Sequence, residues 1–323
     1  MLASGIVIER LRPPLASGEL LALLGHKGSP WIDDIRRRTA GACPESSDRF
    51  FVARSRAGLV GHVWYTAAAG QPRIGLLGHV YTRPECRRQG VARGLMQSAT
   101  ADFTASGGAV LLLFTSTPET LPFYEQLGFR QLYCKPVLHE MDWAMWHPAG
   151  SQTVVTGLFG PSAVRVRRLT AGDLAMYCLL YNLEYQTRLK DWAQPIGTGL
   201  ETEWTFITLM ERIRSGQAVC WVAENDQTIV GIASLVRCGF AHQSHLAAID
   251  CYTHAAFAET GQRLVEACLA GRGELGVEIV YALAADESKR REFSALAFTE
   301  RAHLPGHYKI ENQRDDCWLF EVE

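Results

Sequence analysis

An α/β chain of two domains is predicted by three observations. At 323 residues the chain exceeds what one hydrophobic core normally holds, and its 47% apolar content is enough to fill two. Apolar runs of strand length alternate with helical stripes along the first 146 residues. After residues 147–163, rich in Gly, Ser, Pro and Thr and read as a linker or crossover, the same order begins again over 164–323.

The elements follow in chain order. Ile6 to Leu11 reads as an opening strand, with helical segments through Leu20–Leu24 and from Trp31 to Arg38. Arg49 to Ala53 and Leu59 to Ala67 read as a hairpin turning at Arg56-Ala57-Gly58, and Ile74 to Thr82 as the next strand. From Val91 the residues Leu95, Ala99 and Phe103 recur every four positions, one apolar stripe of a helix that Gly107-Gly108 ends. Ala109 to Phe114 is a buried strand, and Tyr133 to Trp143 a closing one. In the second domain Val164 to Arg167 opens a strand. Thr170 or Asp173 then caps a helix, and further strands are read at Ala218–Ala223, Thr228–Val236, Leu246–Tyr252 and Val277–Ala284, with a helix near Gly261–Ala270.

The chemistry concentrates at Val80-Tyr81-Thr82-Arg83-Pro84-Glu85-Cys86-Arg87-Arg88-Gln89-Gly90-Val91-Ala92-Arg93, a strand, a basic turn and a helix start. Unpaired N–H groups and the positive dipole end of a helix attract an anion. Gly90 and Ala92 leave room for close backbone approach, and Arg87, Arg88 and Arg93 add charge that neutralises phosphates, so a phosphate-bearing cofactor is implied. Downstream, Phe123-Tyr124-Glu125-Gln126-Leu127-Gly128-Phe129 fits an amphipathic helix end packed on the sheet with Gly128 as its cap.

Arg87-x-x-Gly90-x-Ala92 resembles the acyl-CoA signature of the GNAT superfamily of N-acyltransferases, and Tyr124-Glu125-x-x-Gly128-Phe129 is similar to a second element of that family, in the same order. The resemblance covers roughly Ile6 to Trp143. It implies two tandem domains of the GNAT kind, each a mixed, mainly antiparallel sheet flanked by helices. It also implies acetyl-CoA or another acyl-CoA as co-substrate, and direct attack of a small-molecule amine on the thioester. On it, the pantetheine arm lies along Val80-Tyr81-Thr82. Arg87 to Arg93, including Gln89 and Val91, cradles the phosphates, Ser116 and Phe123 complete the cofactor contacts, and Tyr124 protonates the departing sulfur. A glutamate is common in the family near Leu76 or Leu112, where this chain has none; His79 and His62, on neighbouring strands, are candidate bases or ordinary sheet residues.

The second domain looks like a diverged copy. Opposite the basic turn stands Ala258-Glu259-Thr260-Gly261, with no arginine and an acid near the phosphate position; opposite Tyr124 stands Phe293. Such a half is read as structural or acceptor-shaping. Tyr177, Tyr181 and Tyr185 fall on one helical face, followed by Trp192 and Trp204; Tyr181 and Trp204 are candidate acceptor contacts, and core packing accounts for the same rings. A CoA-binding regulator or partner-binding pseudoenzyme, O-acyl transfer and carrier-protein thioester processing stand as alternatives to N-acyl transfer.

Composition narrows the rest. A net charge of −2 argues against nucleic-acid coating or polybasic membrane binding, and no apolar run approaches a membrane span, so a cytoplasmic location is expected. The nine cysteines are scattered without a Cys-x-x-Cys pair and are expected to be reduced, with Cys86 reading as a loop thiol beside Arg87 and Arg88. His303 with His307, and His242 with His245, lack partners at ligand spacing, and no metal is expected.

Overall fold

The computed structural model describes residues 5–137, 140–148, 151–183, 189–194, 196, 202–296, 298–310 and 313–322. Residues Met1–Leu158 with Thr170–Leu179 form one compact unit, and Phe159–Leu169 with Leu180–Glu323 a second.

The first unit contains β1 (Val7–Leu11), α1 (Gly18–Leu23), α2 (Trp31–Thr39), β2 (Arg49–Ser55), β3 (Gly58–Ala68), β4 (Gln71–Thr82), α3 (Val91–Ala105), β5 (Val110–Thr115), α4 (Leu121–Glu125), β6 (Arg130–Val137), β7 (Glu140–His147) and α5 (Ser151–Leu158). The single closing strand expected over 133–143 is a hairpin, β6 with β7, and the stretch read as linker contains the helix α5. The sheet order is β1-β2-β3-β4-β5-β7-β6. Among the described residues of this sheet only β4 and β5 run parallel, from Ile74↔Val110 to Leu76↔Leu112.

Period-two alternation sends the two faces of this sheet to different helices. Phe51, Val63, Tyr65, Leu77, Leu111 and Leu113 form one apolar cluster with Val91, Leu95, Ala99 and Phe103 of α3 and with Tyr124 of α4. The helix comes so close that a Cβ on Gly61 of β3 would meet Val91 Cγ1 at 2.8 Å and Leu95 Cδ1 at 3.0 Å. The opposite face carries Trp64 and Thr66 and meets α2 through the buried Arg38. Its guanidinium donates to Asp34 (2.5 Å) and Asp48 (3.1 Å) and lies 5.1 Å from the Trp64 ring centre. Burial opposes that charge, and the two carboxylates more than offset it, raising the Arg38 pKa further.

The second unit contains β8 (Arg165–Arg168), the end of α6 (Leu174–Asn182), α7 (Thr202–Arg214), β9 (Ala218–Glu224), β10 (Ile229–Arg237), β11 (Leu246–Thr253), α8 (Gly261–Ala270), α9 (Arg272–Leu275), β12 (Ile279–Ala284), α10 (Glu287–Ala295), β13 (Thr299–Ile310) and β14 (Gln313–Val322). Thr170 and Asp173 form a reciprocal capping box just before α6. The sheet order is β8-β9-β10-β11-β12-β14-β13, the first order repeated strand for strand, and again only the fourth and fifth strands, β11 and β12, run parallel. Two tandem mixed sheets flanked by helices are therefore present, as expected. Among the described residues no helix is long and apolar enough to cross a membrane.

Candidate active site

The site of the first unit begins where its parallel ladder stops. β5 leaves β4 after Leu76↔Leu112, while β4 runs on to Thr82 and β5 to Thr115, so the strands part and one edge of β4 faces the gap. Leu76 and Leu112, the positions without a carboxylate, are both fully buried at that last rung. Across β4 the pairing with β3 jumps from Trp64↔Gly78 to His62↔Tyr81, an extra residue on β4. This is a β-bulge, and it holds His79 at φ 56, a conformation non-glycine residues rarely adopt. It leaves Val80 packed with the α3 cluster, whereas His79 stacks on Trp64 (5.2 Å) on the α2 face.

At the end of β4 a cavity of about 430 Å³ is lined by Thr82, Cys86, Arg87, Arg88, Gly90, Val91, Ala92, Arg93 and Phe123. Arg88 (φ 61) and Gly90 (φ 78) are both left-handed, the kind of backbone turn from which an anion nest is built. α3 starts at once after Gly90, and no side chain caps its first-turn N–H groups. Arg87 is steadied by an Nε donation to the Thr82 carbonyl (3.2 Å), and Arg93 by a donation to Gln126 (2.8 Å). The Thr82 hydroxyl oxygen is buried without a hydrogen-bond partner. An orphan hydroxyl, an uncapped helix end and a nest with arginines beside it fit a phosphate-bearing chain laid from the helix toward β4.

Of the other residues singled out by sequence, Gln89 is exposed and donates to the Glu85 carbonyl (3.0 Å), and Ser116 is exposed just past β5. Tyr81 lies on β4, its ring 4.8 Å from that of His26. Tyr124 is buried between Phe123 (5.3 Å) and Phe129 (6.1 Å), and its hydroxyl makes no hydrogen bond among the described residues. Burial pushes its pKa up to about 12, so the phenol keeps its proton at neutral pH.

Both histidines are buried. His62 Nδ1 lies 3.2 Å from the His79 carbonyl. A carbonyl only accepts, so that nitrogen carries the proton and the lone pair sits on Nε2, which is buried without a partner. Burial brings the His62 pKa down to about 4, against the hydrogen bond to His79. His79 is pushed well below the ordinary imidazole range, by burial first and then by Lys27, His62, Arg38 and His26. Both rings are neutral near pH 7 and weakly basic. No sequence motif marks His26 and Lys27, in the connection between α1 and α2, or Trp31, the first residue of α2, yet the fold brings His26 against Tyr81, Trp31 against His79, and Lys27 over Trp31.

The equivalent gap in the second unit is filled. β12 leaves β11 after Ala248↔Tyr281. Beyond that point Asp250 accepts from Lys289 Nζ (2.7 Å to each oxygen), from the Trp192 N–H (2.8 Å) and from the Cys251 N–H (2.7 Å). Trp192 Nε1 donates to the Ile249 carbonyl (3.2 Å), and Lys289 also donates to the Lys190 carbonyl (3.0 Å). The β10–β11 ladder runs from Gly231↔Thr253 to Arg237↔Ala247 without a bulge. Phe293 replaces Tyr124 and packs on Phe298 (5.3 Å), as Tyr124 packs on Phe129.

The helix start differs too. Thr260 and Leu264 approach Gly231 as Val91 and Leu95 approach Gly61, which aligns Gly261 with Ala92 rather than with Gly90, the position the sequence suggested. Glu292 Oε1 fills the space a Cβ on Gly261 would take. Tyr181 is fully buried with its hydroxyl donating to Asp191 (2.9 Å) and its ring stacked on Tyr252 (5.2 Å). Trp204 is 46% exposed on α7, Tyr177 is fully buried, and Tyr185 lies outside the described residues. His303 contacts Asp316 (2.9 Å), and among the described residues no group of three or more His, Cys, Asp or Glu is placed to hold a metal.

The sheet of the first unit parts between its fourth and fifth strands, and the uncapped helix start that follows carries left-handed residues and arginines. Residues 46–131 match the family model of the acetyltransferase (GNAT) domain. Among curated proteins none matches. Similar solved structures include yncA from Salmonella typhimurium with its cofactor acetyl-CoA (18% identity, 50% of this chain and 94% of that one, TM-score 0.44). Ribosomal-protein-alanine N-acetyltransferase from Brucella melitensis is similar at 20% identity (49% and 98%, TM-score 0.43). Spermidine N-acetyltransferase from Vibrio cholerae, in complex with CoA and spermine, is similar at 17% (49% and 94%, TM-score 0.40).

Proposed function

We propose that the first unit transfers an acyl group, most simply acetyl, from acyl-CoA to the amine of a small molecule, and that the second unit binds no acyl-CoA. The observation that carries this reading is the open β4–β5 gap leading to the uncapped, arginine-flanked start of α3, set against the filled gap of the second unit.

An acyl-CoA, when bound, supplies a thioester carbonyl activated for attack. Arg87, Arg88 and the first-turn N–H groups of α3 neutralise its phosphates, and the free edge of β4 from Val80 to Thr82 lines its arm. Fixing both reactants beside one strand removes translational freedom before the reaction, which supplies much of the rate. The bulge turns a β4 peptide out of the regular ladder, and a redirected N–H there polarises the carbonyl. Tyr124 Oη, neutral and without another partner, delivers its proton to the departing sulfur. His79, neutral and at the bulge, takes the proton that the amine loses as the C–N bond forms, directly or through water, while the C–S bond breaks.

Free-thiol release from acetyl-CoA across a panel of amines, with calorimetry of CoA binding, tests the reading. One CoA site per chain and amine-dependent thiol release are expected. A protein that binds no CoA, or binds two equivalents equally well, overturns it.

A further inference from the structure

We propose that the acceptor is an amine that also carries an anionic group, a carboxylate or its equivalent, and that Lys27 is the residue that recognises it. This rests on the proposed acyl transfer, since it concerns the acceptor side of the same site.

The bulge gives the two faces of β4 different jobs. Val80 belongs to the α3 face, where the phosphate nest lies; His79 and Tyr81 belong to the face that meets α2. A nucleophile reaching the gap from that second face passes His26, Lys27 and Trp31. His26 lies 4.8 Å from the Tyr81 ring, Trp31 stands edge-on to His79 at 5.9 Å, and Lys27 Nζ is 5.9 Å from the Trp31 ring centre. These are aromatic walls with one ammonium among them.

The charge balance of this face is one-sided. Among the described residues no carboxylate pairs with Lys27. The nearby acids are already engaged: Asp34 and Asp48 hold Arg38, and Asp33 accepts from Ser29 (2.8 Å) and Arg36 (2.6 Å). Leu76 and Leu112 stand where a carboxylate would add negative charge to the gap. A polycationic amine would meet the Lys27 ammonium with no carboxylate beside it, at a cost that low dielectric increases. An amine bearing a carboxylate instead gives Lys27 its missing partner, through a charge-assisted hydrogen bond. The same substrate leaves its amine free to point at the neutral ring of His79.

The test compares matched acceptors. Thiol release is measured with amino acids, their amides and polyamines such as spermidine; kcat/KM for the acid should exceed that for its amide by at least about tenfold. Lys27→Arg should keep the preference, and Lys27→Glu should abolish it through KM, with CoA affinity serving as the check that the fold persists. Equal use of acids and amides, efficient use of polyamines, or an unchanged ratio in Lys27→Glu overturns the inference while leaving acyl transfer intact. Absence of thiol release with every amine sinks the proposed function instead. The charge preference is then decided by NMR binding of N-acetyl amino acids against their amides on the CoA-saturated protein, where equal binding overturns it.

Discussion

The two units repeat one strand order and one parallel pair, yet they treat the space between the fourth and fifth strands in opposite ways. In the first no ion pair bridges the gap among the described residues, the fourth strand bulges at His79, and no side chain caps the helix start. In the second the ladder is regular, Asp250 and Lys289 meet inside the gap, and Trp192 covers the Ile249 carbonyl that β12 leaves behind. Parting two strands exposes backbone groups that must be satisfied somehow. A ligand can satisfy them in the first unit; the chain itself does so in the second. The fold tolerates both, so likeness of topology says little about chemistry, and the content of the gap says much.

The largest expected effect is Tyr124→Phe. The ring still packs between Phe123 and Phe129, so CoA affinity should hold while kcat falls by roughly 10²–10⁴, the contribution of a positioned acid. The second unit already carries this substitution naturally as Phe293. Turnover within about twofold of wild type would make Tyr124 a packing residue like its counterpart, and the contrast between the units would lose its catalytic half.

Next comes Lys289→Ala. It leaves Asp250, fully buried, with two backbone donors and no cation, and should cost about 3–5 kcal/mol in urea unfolding. Replacing both partners by apolar residues, Lys289→Met with Asp250→Leu, should recover most of the loss. If the single variant costs less than about 1 kcal/mol, water or a ligand reaches the gap and it is not sealed.

The units should also respond to pH in opposite directions. His62 titrates near 4 in the folded first unit instead of 6.5. Between those values the unfolded chain takes up a proton that the native one refuses, so this unit is fully stabilised above 6.5 and weakens as pH falls. In the second unit burial raises Glu292 to about 7 from 4.5. The native state then keeps a proton that the unfolded state releases, so that contribution is complete below 4.5 and is lost as pH rises through 7. Each displacement is worth roughly 3 kcal/mol. Native-state hydrogen exchange at about pH 5 and about pH 7 should show β3 and β4 better protected at the higher pH, and β11 and α10 at the lower. Movement in the same direction in both units would remove this distinction.

Why one half of the contrast was legible in sequence and the other was not has a physical answer. Arg87 to Ala92 could be read because a left-handed turn and a helix start demand particular residues at fixed local spacing, as Gly90 at φ 78 illustrates. The capping box at Thr170 and Asp173 is local in the same way. The bulge at His79 depends on register between β3 and β4, which no single segment encodes. The seal of the second gap joins Trp192, Asp250 and Lys289 across long separations, and each looks ordinary alone. The final hairpin, β13 with β14, escaped because Pro305-Gly306 and many charged residues hide its alternation. Gly261 was misaligned by two positions because a glycine invites comparison with Gly90, whereas packing against Gly231 sets the true correspondence.

The smallest effect expected bears on the helix starts, and it takes a reciprocal pair of variants to read. Arg87→Glu puts a like charge beside the phosphate nest and removes a guanidinium that its bond to the Thr82 carbonyl holds in place. At about 1.5–3 kcal/mol for a hydrogen bond to a charged group, CoA affinity should fall at least about tenfold in calorimetry. Glu259→Arg in the second unit makes the opposite change, yet it should create no second site. Charge alone does not build a nest, and Glu292 still occupies the space beside Gly261 while Lys289 still fills the gap. A second CoA equivalent in Glu259→Arg would show that one acidic side chain, rather than the sealed gap, separates the two units. Unchanged affinity in Arg87→Glu would show that the backbone nest at Arg88 and Gly90 binds the phosphates without that side chain.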